Sequence, residues 1–136
     1  MSLVLDSSVT LSWCFQDEST SATDELLDRV GAIGAVCPAL WPLEVSNGLL
    51  MSERRGRVDS LRRQQLLNFI RDLPVEIDVD GVSRVWGPIN QLALRFTLTA
   101  YDAAYLELAQ RLELPLASLD QAMRSAAYQL GISVLP

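Results

Sequence analysis

Short apolar runs rich in β-forming residues alternate along this chain with longer segments of helical periodicity. The apolar runs lie at positions 3–5, 35–37, 75–79, 116–118 and 132–135. Strands separated by helices predict an α/β fold, in which a central, mainly parallel sheet of about five short strands is flanked by helices and joined by right-handed crossovers. In such sheets, binding sites form beyond the carboxyl ends of the strands.

The helical segments carry their own boundary signals. The segment 19–30 predicts a helix with Ala22, Leu26, Leu27 and Val30 inward, closed by glycines at 31 and 34. Pro42 suits the first turn of a helix that carries Glu44. In the segment 82–96, Gly87-Pro88 predicts a kink or a split into two helices. The strand 75–79 alternates apolar and acidic residues, which is typical of a strand with one solvated side at a sheet edge.

Length and composition limit the class of protein. A chain of 136 residues with 49% hydrophobic residues predicts one domain spanning 1–136. Its apolar N-terminal run lacks a basic side chain and ends at Asp6, so we expect neither a signal peptide nor a membrane span, and a cytoplasmic protein. Cys14 and Cys37 lie far apart among apolar residues, which favours two buried thiols over a disulfide.

The basic residues restrict the possible chemistry. The chain has no His, and all 11 basic residues are Arg. This excludes imidazole bases, Ser-His and Cys-His pairs, His-ligated zinc, the P-loop lysine and Schiff bases. Any enzymatic chemistry must therefore use carboxylates, hydroxyls, thiols or a metal ion. The net charge of −6 argues against nonspecific coating of nucleic acid.

Four acids occupy positions that the predicted fold brings together: Asp6, Glu44, Asp102 and Asp120. Each has a structural alternative as a helix cap or first-turn acid, and Asp102 in particular could complete a capping box with Thr99. Two carboxylates about 4 Å apart repel by roughly 4 kcal/mol at an effective dielectric near 20. Four together favour a hard cation, Mg²⁺ or Mn²⁺, which could activate water for attack on a phosphodiester.

Two further groups of residues surround these acids. Ser7 and Ser118 could support the acids by hydrogen bonding or serve only as turn residues. Arginines concentrate at Arg54, Arg55, Arg57, Arg62 and Arg63. This arginine cluster is either a solvated face or a surface for a phosphate backbone.

Four segments together resemble the PIN-domain ribonucleases, and more narrowly the VapC toxins of toxin–antitoxin pairs: 3–9 (LVLDSSV), 42–47 (PLEVSN), 98–105 (LTAYDAAY) and 116–120 (LASLD). The resemblance implies an endoribonuclease dependent on Mg²⁺ or Mn²⁺. Asp6 and Asp102 would be the most direct ligands. Glu44 would bind metal or orient water, and Asp120 would hold a metal or its waters.

The resemblance also implies partners. These are an RNA substrate, a second copy in a homodimer, and a VapB-like antitoxin that covers the site and often inserts a basic side chain into it.

Gly87-Pro88 and the lack of Lys depart from the family pattern without touching the acids. A phosphoaspartate receiver would need a Lys, and a haloacid-dehalogenase phosphatase would need an acid where Ser8 stands. A PIN-like binding or assembly module without nuclease activity remains an alternative, although such a module typically lacks one of the four acids.

Overall fold

The structure is a computed structural model that describes residues 2–136. In chain order, its elements are β1 (Val4–Leu5), α1 (Ser7–Ser12), α2 (Ser21–Ile33), β2 (Ala35–Pro38), α3 (Trp41–Arg54), α4 (Ser60–Arg71), β3 (Val75–Asp78), a 3₁₀ turn (Val82–Arg84), a π turn (Val85–Ile89), α5 (Asn90–Phe96), α6 (Ala100–Leu112), β4 (Leu116–Ala117), α7 (Gln121–Gln129) and β5 (Val134–Leu135). Strands and helices alternate as the sequence predicts.

Within the described residues, the strands form one five-stranded sheet in the order β3-β2-β1-β4-β5, and every pairing is parallel. Val4 of the central strand β1 is in register with Val36 on one side and Leu116 on the other. The predicted α/β class and parallel sheet are therefore confirmed. The strand β3 lies at the sheet edge, as its alternating pattern indicates.

The core lies between the sheet and its flanking helices, and α6 contributes most to it. From Ala103 to Ala109 every residue of α6 is buried, because this helix packs against β1, β2 and β4 on one side and against α5 and α7 on others. A helix buried over most of its surface leaves little room for a polar side chain. Polar groups on α6 therefore need partners, and these partners define two clusters described below.

The segment 82–96 splits where Gly87-Pro88 predicts a break. A 3₁₀ turn and a π turn containing Pro88 precede α5. Proline lacks the backbone N–H that a regular helix needs, so a wider turn accommodates it. Among residues 2–136, no helix is long and apolar enough to cross a membrane. Both cysteines are free and buried, as expected.

The prediction for α2 is wrong in one part. Ala22 is exposed, and Thr23 is buried in its place. The reason is a capping box, in which Thr20 caps the helix and the Thr23 hydroxyl accepts the Thr20 N–H at 2.9 Å. The helix also continues through Gly31 and ends at Gly34, whose φ of 79° permits the chain to turn into β2.

Candidate active site

The four predicted acids come from four different elements at the carboxyl edge of the sheet. Asp6 follows β1 directly, and Asp120 lies just beyond the adjacent strand β4. Glu44 lies in the first turn of α3, which follows β2, and Asp102 lies in the first turn of α6. Since parallel strands end at the same edge, the fold brings these positions to one edge of the sheet.

Asp6 is the most buried of the four and is held by hydroxyl groups. Its Oδ2 accepts hydrogen bonds from Ser8 Oγ at 2.6 Å and from Ser118 Oγ at 2.8 Å. The hydroxyl of Ser7, which was also predicted to support the site, lies 3.4 Å from Oδ1. Oδ2 therefore takes the two short hydroxyl bonds, and the Ser7 hydroxyl makes the longest of the three contacts.

The same two hydroxyls connect the start of α1 to the loop after β4. Ser8 Oγ accepts the Leu119 N–H at 3.0 Å, and Ser118 Oγ accepts the Asp120 N–H at 3.1 Å. This arrangement fixes the start of α1 against the loop after β4. Sequence reasoning missed the role of Ser8, although a hydroxyl two residues after an acid at a strand end is a signal for such bonding.

Glu44 is half-buried and receives a hydrogen bond from another helix. The hydroxyl of Tyr105, on α6, donates to Glu44 Oε1 at 2.6 Å. Tyr105 is fully buried. Sequence reasoning assigned Tyr105 no function; an aromatic hydroxyl one turn beyond Asp102 was the available signal.

The capping alternatives hold in part for the other two acids. Thr99 Oγ1 accepts the Asp102 N–H at 3.1 Å, which is one half of a capping box. Asp120 Oδ1 accepts the Met123 N–H at 2.9 Å, so Asp120 caps α7. Capping occupies one oxygen of Asp120 and leaves the second for another role.

Burial and mutual repulsion raise the pKa values of three of the site acids. Burial raises the pKa of Asp6, of Glu44 and of Asp102 above its ordinary value. Asp120 further raises the pKa of Asp6, and Asp6 and Asp102 both raise the pKa of Glu44. The four carboxylates are thus close enough for their charges to interact, and the charged neighbours that influence these pKa values are other acids of the set.

These donors fit a hard divalent cation in chemistry, because all are carboxylate oxygens and a positive ion would relieve their repulsion. Among residues 2–136, however, no three Asp, Glu or Cys side chains are arranged as a ready-made metal cluster. The prediction that the four acids share a cation therefore stays a prediction.

The arginine cluster lies away from these acids. Arg54 is at the end of α3, about 15 Å along the helix axis from Glu44 at 1.5 Å per residue. Arg54 and Arg55 are exposed. Arg57 pairs with Asp17 at 2.8 Å and with Glu18 at 3.0 Å.

The other two arginines of the cluster have local contacts. Arg63 lies 3.4 Å from Glu53, and Arg62 donates to Gln65 at 3.5 Å. Arg54 and Arg55 are therefore the most accessible members of the cluster for an external phosphate.

A comparison with known families matches residues 3–128 to the PIN domain. The chain belongs to the PIN domain family. The match spans all four acids. The resemblance inferred from the sequence is therefore confirmed at the level of the family.

One similar protein matches this PIN domain in sequence, and two solved structures match it in fold. Ribonuclease VapC3 of Pyrobaculum aerophilum is 26% identical over 121 residues, which are 89% of this chain and 91% of the relative. The crystal structure of VapBC2 from Rickettsia felis, bound to a DNA fragment from their promoter, matches with a TM-score of 0.69 at 11% identity, covering 98% of this chain and 97% of that one. FitAcB from Neisseria gonorrhoeae matches with a TM-score of 0.69 at 14% identity, covering 98% and 96%. The structural matches establish the fold.

Proposed function

We propose that this PIN domain, acting as a single domain over residues 1–136, is a Mg²⁺- or Mn²⁺-dependent endoribonuclease and the toxin of a toxin–antitoxin pair. The observation that carries the proposal is that Asp6, Glu44, Asp102 and Asp120 come from four elements to the carboxyl edge of the sheet. Burial and neighbouring acids raise the pKa of Asp6, of Glu44 and of Asp102 there. The relative named Ribonuclease VapC3 supports RNA as the substrate.

In this proposal, Asp6 and Asp102 hold the cation most directly. Glu44 binds it or orients the attacking water, and Asp120 uses its second oxygen to hold the ion or its waters. When bound, such a cation lowers the pKa of a coordinated water and neutralises charge on the phosphoryl oxygens. The hydroxyls of Ser8 and Ser118 keep the Asp6 carboxylate in one orientation.

The proposed partners are an RNA, a second copy and a VapB-like antitoxin. An apolar groove of about 370 Å³ is lined in part by Leu43 and Tyr101, the residues that precede Glu44 and Asp102. Leu43 is 74% exposed, and Tyr101 is 65% exposed. An apolar surface of this kind supports a protein interface, here the homodimer. The VapBC2 and FitAcB structures support an antitoxin partner.

We further propose that Arg54, Arg55 and Arg57 contact the RNA backbone, and that the protein works in the cytoplasm. The exposure of Arg54 and Arg55 supports the first proposal. If it is correct, replacing both by Gln weakens RNA binding and flattens its dependence on salt, since each phosphate contact releases a counterion.

The test of nuclease activity compares the wild type with Asp6→Asn and Asp102→Asn on single-stranded RNA, with Mn²⁺ or with EDTA. Asp28→Asn, at an exposed position on α2, is the matched control. We expect cleavage by the wild type and the control in Mn²⁺ only, and a loss of at least about 100-fold in both site variants, because removing one charged ligand weakens cation binding and catalysis together.

Equal cleavage by all proteins, or cleavage that EDTA leaves unchanged, would contradict the site assignment. RNA binding without cleavage by any of them would instead indicate a binding or assembly module.

A further inference from the structure

The hydrogen bond between Tyr105 and Glu44 joins two helices across the candidate site. It is short, at 2.6 Å, and spans 61 positions of the sequence. Tyr105 is fully buried, so the packing of its ring fixes where its hydroxyl lies. Glu44 is only half-buried and lies in the first turn of α3, next to exposed Leu43. The rigid partner is therefore the tyrosine, and the carboxylate is the group that is held.

A buried hydroxyl requires a reason. A phenylalanine would fill the same space in the core, whereas a buried hydroxyl destabilises the fold unless it has a hydrogen-bond partner. The partner here is a carboxylate oxygen of a candidate site residue. The hydroxyl therefore serves the position of Glu44 better than it serves the packing of α6.

The geometry also connects Glu44 to Asp102. Both Asp102 and Tyr105 belong to α6 and lie one turn apart, on the same face of the helix. The helix thus presents one carboxylate directly and orients a second through the phenol. Because Oε1 of Glu44 accepts the phenol, α6 restrains the orientation of this carboxylate.

We infer that Tyr105 is a positioning residue that fixes the Glu44 carboxylate relative to Asp102 for cation binding. This inference rests on the proposed metal-dependent function. Tyr105 does not contact the cation in this scheme and acts only through Glu44.

The test measures Mn²⁺ affinity by titration calorimetry on the full chain, together with RNA cleavage and thermal unfolding without metal. In Tyr105→Phe we expect the Mn²⁺ dissociation constant to rise about 10-fold or more, as is typical when a residue that orients a metal ligand is removed. Tyr128→Phe, at a position 82% exposed, is the matched control and should bind as the wild type does.

A double-mutant cycle separates positioning from general destabilisation. If Tyr105 acts only through Glu44, then Tyr105→Phe changes Mn²⁺ affinity by less than about twofold when Glu44→Gln is already present. A purely structural role lowers the melting temperature in both backgrounds and leaves affinity unchanged. Glu44→Asp keeps the charge, shortens the side chain away from the phenol and should weaken Mn²⁺ binding comparably.

The inference is overturned if Tyr105→Phe or Glu44→Asp binds Mn²⁺ with wild-type affinity. It is also overturned if Tyr105→Phe loses the same affinity with and without Glu44→Gln. In each case, RNA cleavage by the wild type would still uphold the proposed function. A wild-type protein that binds no Mn²⁺ would overturn both.

Discussion

Arg111 on α6 holds two buried carboxylates together, and replacing it with Met should destabilise the fold strongly. Its Nη2 donates to Asp78 Oδ2 at 2.7 Å, and its Nε donates to Glu107 Oε1 at 2.8 Å. The side chains of Asp78 and Glu107 are only 8% and 5% exposed. The cluster links the end of the edge strand β3 to the helix that carries Asp102.

The expected loss follows from what remains after the change. Met fills much of the space of the Arg stem, so the main effect is electrostatic: two buried carboxylates lose their shared cation. Breaking a buried pair by removing one partner destabilises by about 3–5 kcal/mol. Arg84 still lies 3.5 Å from Glu107, which places the expected loss near the lower value.

Urea unfolding at pH 7 without metal measures this loss. The matched control is Arg71→Met, whose partner Asp72 is 3.2 Å away on an exposed surface. An exposed pair contributes less than about 1 kcal/mol, so the control should unfold close to the wild type.

The pH dependence provides a second measurement. Arg111 holds the pKa of Asp78 below its ordinary value of 3.8. A carboxyl with a lowered native pKa stabilises the fold above the unfolded pKa, and this contribution is lost as the pH falls through the native pKa. The difference between wild type and Arg111→Met should therefore shrink as the pH falls below about 4.

A loss in Arg111→Met no larger than that in Arg71→Met would refute this reasoning. A difference that stays constant down to pH 2 would refute its electrostatic part.

Predictions for four further variants can be checked by the same unfolding experiments. Gly34→Ala should destabilise by about 1–2 kcal/mol, because the φ of Gly34 is 79°, whereas Gly31→Ala, inside α2 with open space around it, should stabilise by about 0.5–1 kcal/mol. In EDTA, Asp102→Asn should be more stable than the wild type at pH 7. The gain should vanish as the pH falls through the raised pKa of Asp102, since an acid whose pKa is raised in the native state destabilises the fold only when it is charged. Trp41→Phe should lose about 1–3 kcal/mol, because the buried Trp41 Nε1 donates to Thr10 Oγ1 at 3.0 Å and removing it leaves that hydroxyl without its donor. If the free energy of unfolding of any one of these variants equals that of the wild type, the structural reason given for that variant is wrong.

The sequence predicted the elements well where the pattern was local and strong. The apolar run at 116–118, the proline at 42 and the break at Gly87-Pro88 each identified a boundary that the structure contains. The error at Ala22 has a clear cause: hydrophobic periodicity favoured the alanine, whereas capping geometry turned Thr23 inward.

By itself, the sequence determined the class of fold and the set of acids at strand ends and helix starts, because periodicity and residue type are local properties of the chain. Only the tertiary structure decided which groups hold those acids. Tyr105 and Glu44 are 61 positions apart, and Ser8 and Leu119 are 111 apart. No local pattern encodes such pairs, since they depend on how α3, α6 and the loop after β4 pack around the sheet. For Asp102, the sequence predicted the position at the start of a helix, whereas only the tertiary structure showed that the same helix also orients Glu44 through Tyr105.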